Sequence, residues 1–123
     1  MKYWSFIILA ILCLTSCTSK QNIATSTPDI KGIIADSETI LVDVRIKEQF
    51  NEKTAPNSVN IPLAEIENNL EFLRGQKNIV VFCNSGRQAD EAIKTLHKKG
   101  IHNVYDGTTW KNVRAIQDEN EKK

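Results

Sequence analysis

The sequence is poor in cysteine, glycine and proline and has almost no excess charge of either sign. Its 123 residues include 3 Cys, 5 Gly and 3 Pro, and 16 Lys and Arg stand against 15 Asp and Glu. So small a net charge gives no electrostatic support to a general nucleic-acid-binding role. The sequence has no phosphate-binding glycine loop, and neither His97 nor His102 has a second ligand at metal-site spacing. We therefore predict neither a metal nor a cofactor.

One long apolar run, from Ser5 to Leu14, follows a single positive charge at Lys2. A run of about ten residues is too short to cross a bilayer as a stable helix, so it is typical of an export signal, with a buried N-terminal helix as the alternative. Leu14-Thr15-Ser16-Cys17 resembles the lipobox of bacterial lipoproteins. The resemblance implies a signal peptide over residues 1–16, cleavage before Cys17 and acylation of its sulfur.

Acyl chains on Cys17 would hold the protein stably at a membrane surface in the cell envelope. Thr18 resembles the sorting signal for the outer membrane, which in a bacterium with two membranes implies its periplasmic face. Residues 17–27 are predicted to be the lipidated cysteine and a flexible tether, because they offer little to bury. A folded domain is predicted over residues 28–116 and a charged tail over 117–123.

Processing would leave Cys83 as the only free thiol of the mature chain, because Cys13 is removed and Cys17 carries lipid. No intramolecular disulfide is then possible. A lone thiol in an exported compartment is open to oxidation unless it has a use. This favours a functional Cys83 over the alternative, a buried structural cysteine.

Helical and strand-like segments alternate along the predicted domain. Continuous runs of β-branched and apolar residues predict strands that are covered on both faces, and apolar residues at helical spacing predict amphipathic helices. The predicted strands are 39–44, 59–61, 78–82 and 103–105. The predicted helices are 28–35, 63–73, 87–99 and 110–116, with a helical turn at 48–51. This alternation indicates an α/β sandwich around a parallel or mixed sheet.

Cys83 stands where the third predicted strand ends and the helix pattern of 87–99 begins. Backbone N–H groups of the turn and the positive end of the helix dipole should face its sulfur, which favours the thiolate and the binding of an anion. Gly86 permits the tight turn that directs those N–H groups inward. Arg87 is suited to bind an anionic donor, or else is a solvated charge at the start of the helix.

Three segments, in order, resemble the signature motifs of rhodaneses. They are Leu41-Val42-Asp43-Val44-Arg45 with Glu48 and Phe50, Ser58-Val59-Asn60-Ile61-Pro62-Leu63, and Val81-Phe82-Cys83-Asn84-Ser85-Gly86-Arg87-Gln88-Ala89. The chain thus resembles a single-domain rhodanese, in particular the small exported phage-shock type. The resemblance implies a rhodanese-like three-layer α/β sandwich with a small, mostly parallel sheet flanked by helices, and we expect a monomer.

The sequence departs from the family pattern in three places. Lys53-Thr54-Ala55-Pro56-Asn57 replaces the family's "G-H-I-P-G", and Thr108-Thr109 replaces its usual glycine pair. Many members place arginine five residues after the cysteine, whereas here Arg87 is the fourth residue and Gln88 the fifth. The phage-shock type shares this last arrangement, so it bears on substrate preference more than on activity.

The resemblance implies an enzyme of the thiosulfate sulfurtransferase type. Cys83 would take a sulfane sulfur from thiosulfate or a similar donor as a persulfide and pass it to cyanide or another thiophile. Loop residues would bind the anionic donor, namely Asn84, Ser85, Gly86, Arg87 and Gln88. A carboxylate inside an apolar strand must be hydrogen-bonded, so Asp43 is expected to be a structural brace. Arg45 is expected to pair with Glu48, with a position over the site as the alternative, and Trp110 to be either core filler or a pocket wall.

Two other functions compete with sulfur transfer. The same scaffold could serve as a non-catalytic envelope module that carries sulfur, senses redox state or binds a partner. A cysteine-dependent phosphatase would need arginine at the sixth position after the cysteine, where this chain has Ala89. The loop is therefore too short to encircle a phosphoryl group in that manner.

Overall fold

The structure is a computed structural model that describes residues 28–123. The predicted signal peptide, the lipidation site at Cys17 and the tether up to residue 27 lie outside the described residues. Within residues 28–123, no helix has the length and apolar character needed to cross a membrane.

Four parallel strands form one sheet in the order β2-β1-β3-β4. The strands are β1 (Thr39–Asp43), β2 (Ser58–Asn60), β3 (Asn78–Cys83) and β4 (Val104–Thr109). Residues 79–83 of β3 are all buried, as a continuous apolar run in a sheet covered on both faces requires. The predicted α/β fold with a parallel sheet is confirmed.

Helices cover both faces of the sheet. The elements are α1 (Ile30–Ala35), α2 (Lys47–Glu52), a 3₁₀ helix (Leu63–Asn69), α3 (Leu70–Arg74), α4 (Arg87–Lys98) and α5 (Trp110–Glu121). Alternate residues of β3 belong to two hydrophobic cores, one on each face of the sheet, because side chains along a strand point to opposite faces. Val81 and Cys83 pack on the side of α4, whereas Val80 and Phe82 pack with Trp110 on the side of α1 and α5. The result is the expected three-layer sandwich.

The first helix and the predicted helix over 63–73 differ from the sequence prediction. The first begins at Ile30 after Asp29, whose carbonyl accepts the N–H of Ile33, so residues 28 and 29 precede the helix. The predicted helix over 63–73 is a 3₁₀ helix followed by a single α-helical turn. The backbone of Asn69, with φ −118° and ψ 19°, leaves the helical region between the two parts. Apolar spacing does not distinguish these two kinds of helix over so short a span.

The C-terminal region departs most from the prediction. The expected short strand 103–105 continues to Thr109, and the expected tail from Gln117 is helical to Glu121. Lys31 Nζ lies 2.8 Å from Glu119 Oε2, and Gln117 Nε2 donates to the carbonyl of Pro56 at 2.9 Å. These partners are distant in the sequence, so the charged composition of the tail did not reveal the helix.

Candidate active site

Cys83 is the last residue of β3 and is only 1% exposed. The backbone N–H of Gly86 donates to its Sγ at 3.0 Å, and Sγ lies 3.7 Å from the carbonyl oxygen of Thr108, to which a thiol proton can be donated. The Gly86 N–H can donate to the sulfur with or without its proton, whereas the contact with the Thr108 carbonyl needs the S–H. Both contacts hold the sulfur at one position beside the start of α4.

The Cys83 loop (residues 83–88) depends on the backbone of Gly86. This residue is the N-cap of α4 and has φ +89° and ψ −15°, in the left-handed region that favours glycine. A Cβ at Gly86 would lie 3.2 Å from Cγ2 of Thr108. The turn expected from the sequence is present, and it brings one amide to the sulfur at the positive end of a 12-residue helix.

Thr108 closes the other side of the sulfur and has an unusual backbone. Its φ of 64° is rare for a β-branched residue. Its N–H donates to Asp106 Oδ1 at 2.7 Å, and Asn112 Nδ2 donates to the carbonyl of Gly107 at 2.9 Å and to Thr108 Oγ1 at 3.3 Å. These bonds hold the strained residue with its carbonyl next to Cys83 Sγ.

Thr108 was not among the predicted site residues. The signal for it was the threonine pair at the place of the family's glycines, because a left-handed backbone is what such a glycine provides.

The predicted donor-binding residues follow Cys83 in the loop and are mostly exposed. Asn84, Ser85, Arg87 and Gln88 are exposed, and Gly86 is half-buried. Arg87 is the first residue of α4 and makes no salt bridge within residues 28–123. Its guanidinium is therefore available to an anion that approaches the loop.

Asp43 and Arg45 form a buried ion pair behind the loop. Arg45 Nε donates to both carboxylate oxygens of Asp43 at 3.0 and 3.1 Å, and Nη2 donates to Oδ2 at 2.7 Å. The expected pairing of Arg45 with Glu48 is wrong. Residues two apart in extended backbone point to the same face, so the guanidinium reaches Asp43, while Glu48 is exposed on α2.

The brace also includes partners that sequence reasoning missed. The hydroxyl of Thr54 donates to Asp43 Oδ2 at 2.8 Å, and Arg45 Nη2 donates to the carbonyl of Lys53 at 2.6 Å. Asp43 is thus fully buried with both oxygens satisfied, and it ties the end of β1 to the segment that replaces the family's "G-H-I-P-G".

Trp110 fills the core and also lines a cavity. It is 9% exposed, packs with Phe82 and Val113, and bounds a cavity of about 260 Å³ that Arg45 and Asn84 share. His97 and His102 lie with ring centroids 5.4 Å apart and are exposed. In the described part of the chain, no group of three or more His, Cys, Asp or Glu side chains could hold a metal ion.

Comparisons with known proteins give one consistent result. The profile of the family described as "Rhodanese-like domain" matches residues 26–107. The thiosulfate sulfurtransferase PspE of Escherichia coli is 31% identical over 74 residues, which are 58% of this chain and 71% of PspE. A solved structure described as "rhodanese with anions from E. coli" aligns with a TM-score of 0.55 at 30% identity, covering 60% of this chain and 89% of that chain.

A second relative is longer than this chain. The putative sulfur carrier protein YrkF of Bacillus subtilis is 32% identical over 92 residues, which are 70% of this chain and 49% of YrkF. The chain therefore spans about half the length of that relative.

Proposed function

The chain belongs to the rhodanese-like domain family, and from this membership we propose that it is a sulfurtransferase that acts through a persulfide on Cys83. The donor is thiosulfate or a similar sulfane compound, and the acceptor is cyanide or another thiophile. The observation that carries the proposal is the 3.0 Å hydrogen bond from the Gly86 N–H to Cys83 Sγ at the start of α4. A donor so placed stabilises a thiolate and, after transfer, a persulfide.

The first half-reaction is a displacement at sulfur. The Cys83 thiolate attacks the outer sulfur of thiosulfate, the S–S bond of the donor breaks, and its electron pair leaves with sulfite. Arg87, exposed and always cationic, binds the anionic oxygens of the donor during this step. Because Cys83 is only 1% exposed, a small donor reaches Sγ more easily than a large one.

The second half-reaction restores the thiolate. Cyanide attacks the outer sulfur of the persulfide, the bond to Sγ breaks, and its electron pair remains on Cys83 while thiocyanate departs. A sulfur-carrier role is the second candidate, since YrkF is named a putative sulfur carrier protein. A carrier would load one sulfur and release it only to a specific partner, whereas an enzyme turns over with cyanide.

The intact mass of the full-length protein tests the proposal. We expect thiosulfate to add one sulfur atom per chain and cyanide to remove it, with sulfite and thiocyanate released in equal amounts over many turnovers. An unchanged mass after thiosulfate would overturn the sulfurtransferase proposal. If thiosulfate adds the sulfur but cyanide does not remove it, the carrier role is favoured.

The same loading experiment with Arg87→Ala tests whether this residue binds the donor. Loss of one charge-assisted contact to a dianion should raise the thiosulfate concentration for half-maximal loading by roughly tenfold, while the final extent of loading stays at one sulfur. Gln88→Ala removes a neighbouring polar side chain without changing charge and should have a smaller effect. Equal loading curves for Arg87→Ala and the wild type would remove Arg87 from the site.

We also propose that the protein is a lipoprotein of the bacterial cell envelope. The support is the sequence Leu14-Thr15-Ser16-Cys17 after the apolar run from Ser5 to Leu14. In cells given labelled palmitate, the wild type and Cys13→Ser are expected to incorporate label, and Cys17→Ser none. Label on Cys17→Ser, or its absence from the wild type, would contradict the anchor.

A further inference from the structure

A cavity of about 260 Å³ lies beside the Cys83 loop, at the carboxyl end of the sheet. We name it the Trp110 pocket. It is lined by Arg45, Gln49, Glu52, Lys53, Asn84, Trp110 and Lys111. These residues follow β1, β3 and β4, and the carboxyl ends of parallel strands are where α/β proteins commonly bind ligands.

Cations surround the indole of this pocket. Arg45 Cζ, Lys53 Nζ and Lys111 Nζ lie 5.6, 5.8 and 5.7 Å from the ring centroid of Trp110. Asp43 neutralises Arg45, and Glu52 on the lining offsets one of the two lysines, which leaves one net positive charge. Lys53 and Lys111 are exposed, so each ammonium group can also contact an anion that enters the pocket.

Arg45 leaves one donor without a partner. It is 4% exposed, and its Nε and Nη2 atoms donate to Asp43 and to the carbonyl of Lys53. Nη1 donates to no residue within residues 28–123. Because Arg45 lines the pocket, Nη1 is the donor that remains for an occupant.

The pocket is next to the reacting sulfur, and Asn84 belongs both to its lining and to the Cys83 loop. Asn84 directly follows Cys83, and Trp110 directly follows Thr109, the register partner of Cys83 in β4. Cys83 packs on the side of α4, whereas Trp110 packs on the side of α5. A molecule that engages both extends across the end of the sheet, so the pocket suits an occupant whose anionic group is separated from its sulfur.

We propose that the Trp110 pocket binds the anionic end of the sulfur acceptor, a small thiol that carries a carboxylate or sulfonate group. This inference rests on the proposed persulfide at Cys83. The acceptor thiolate attacks the outer sulfur of the protonated persulfide, and the bond from that sulfur to Sγ breaks. The electron pair stays on Cys83 as a thiolate, and the acceptor leaves as its own protonated persulfide. Lys53, Lys111 and Arg45 Nη1 hold the acceptor's anionic group during this step.

Discharge of preloaded full-length protein tests the inference with two thiols of matched length. 2-Mercaptoethanesulfonate carries the anion, and 2-mercaptoethanol replaces it with a hydroxyl. The measured quantity is the ratio of their rate constants for removing sulfur, followed by intact mass. The Lys53→Gln/Lys111→Gln double variant is expected to lower this ratio about tenfold relative to the wild type. Lys98→Gln, an exposed lysine of α4, removes the same kind of charge elsewhere and should keep the wild-type ratio.

The outcomes separate this inference from the proposed function. An unchanged ratio in the double variant, in samples that load with thiosulfate, overturns the acceptor pocket and leaves the persulfide intact. A ratio that falls equally in Lys98→Gln also overturns it, because general surface charge would then explain the preference. If no sample takes up sulfur from thiosulfate, the sulfurtransferase proposal is wrong, and the proposed role of the pocket in sulfur transfer is wrong as well.

Discussion

Cys83→Ser is expected to accept no sulfur from thiosulfate and to lose all turnover with cyanide. A hydroxyl at this position cannot form a stable bond to sulfane sulfur, and the Gly86 N–H would then donate to an oxygen that carries no negative charge near neutral pH. The measurement is intact mass after thiosulfate, with peptide mapping to locate any added sulfur among the 3 cysteines of the chain. In the wild type, we expect the sulfur at Cys83.

The serine variant should keep its fold, which makes the loss a chemical one. Serine can accept the Gly86 N–H and donate to the Thr108 carbonyl, the two contacts that the thiol makes. A single cooperative urea transition would show that the domain remains folded. Sulfur gained by Cys83→Ser, or mapped in the wild type to another cysteine, would contradict the assignment of the nucleophile.

The parts of the fold that were predicted correctly are those encoded by local patterns. The buried run 79–83 indicated a strand covered on both faces, and the apolar stripe Ala89, Ala92 and Leu96 is the buried face of α4. Gly100, with φ +82°, follows that helix in the left-handed conformation that is common just after helix ends. Each of these signals is contained in a few neighbouring residues, so no knowledge of the tertiary structure was needed.

The C-terminal half of β4 was missed for a tertiary reason. Asp106 and Gly107 are turn formers, and they suggested that the strand ends at Tyr105. In the structure Gly107 is an extra residue in the ladder, since Val81 pairs with Asp106 and Phe82 with Thr108. A Cβ at Gly107 would lie 2.8 Å from both Val80 and Val113, so the glycine serves close packing there.

The loop of the candidate site could be predicted from the sequence, but the residues that support the loop could not. The nucleophile, the turn at Gly86 and the adjacent cation are consecutive in the sequence, and the strand-to-helix pattern places them together. Thr54 and Thr108 reach the site from distant segments, and a hydroxyl or a carbonyl has no sequence pattern that reveals its partner. Arg45 pairs with Asp43 and not with Glu48 because Asp43 and Arg45 lie two residues apart in extended backbone, which points both side chains to the same face.

Asp43→Asn is expected to lower the free energy of unfolding by about 3–5 kcal/mol, because it leaves the buried guanidinium of Arg45 without a counter-charge. The Nη2–Oδ2 contact is 2.7 Å, and the two side chains are 5% and 0% exposed. The amide NH₂ of asparagine would also oppose a donor, since both carboxylate oxygens of Asp43 accept hydrogen bonds. Urea unfolding at neutral pH measures the change.

Asp90→Asn is the matched control. Asp90 pairs with Lys94 at the same distance of 2.7 Å, but these side chains are 57% and 69% exposed. Solvent screens such a pair, so the same chemical substitution should change stability little. Because the substitution and the shortest N–O distance are equal, the difference between the two variants reports what burial and the additional hydrogen bonds of Asp43 contribute. Equal stabilities of the two variants would show that the Asp43–Arg45 pair is not the brace of the loop. If Asp43→Asn is folded but less stable, and Cys83 loads with sulfur more slowly, the brace is linked to the reacting sulfur.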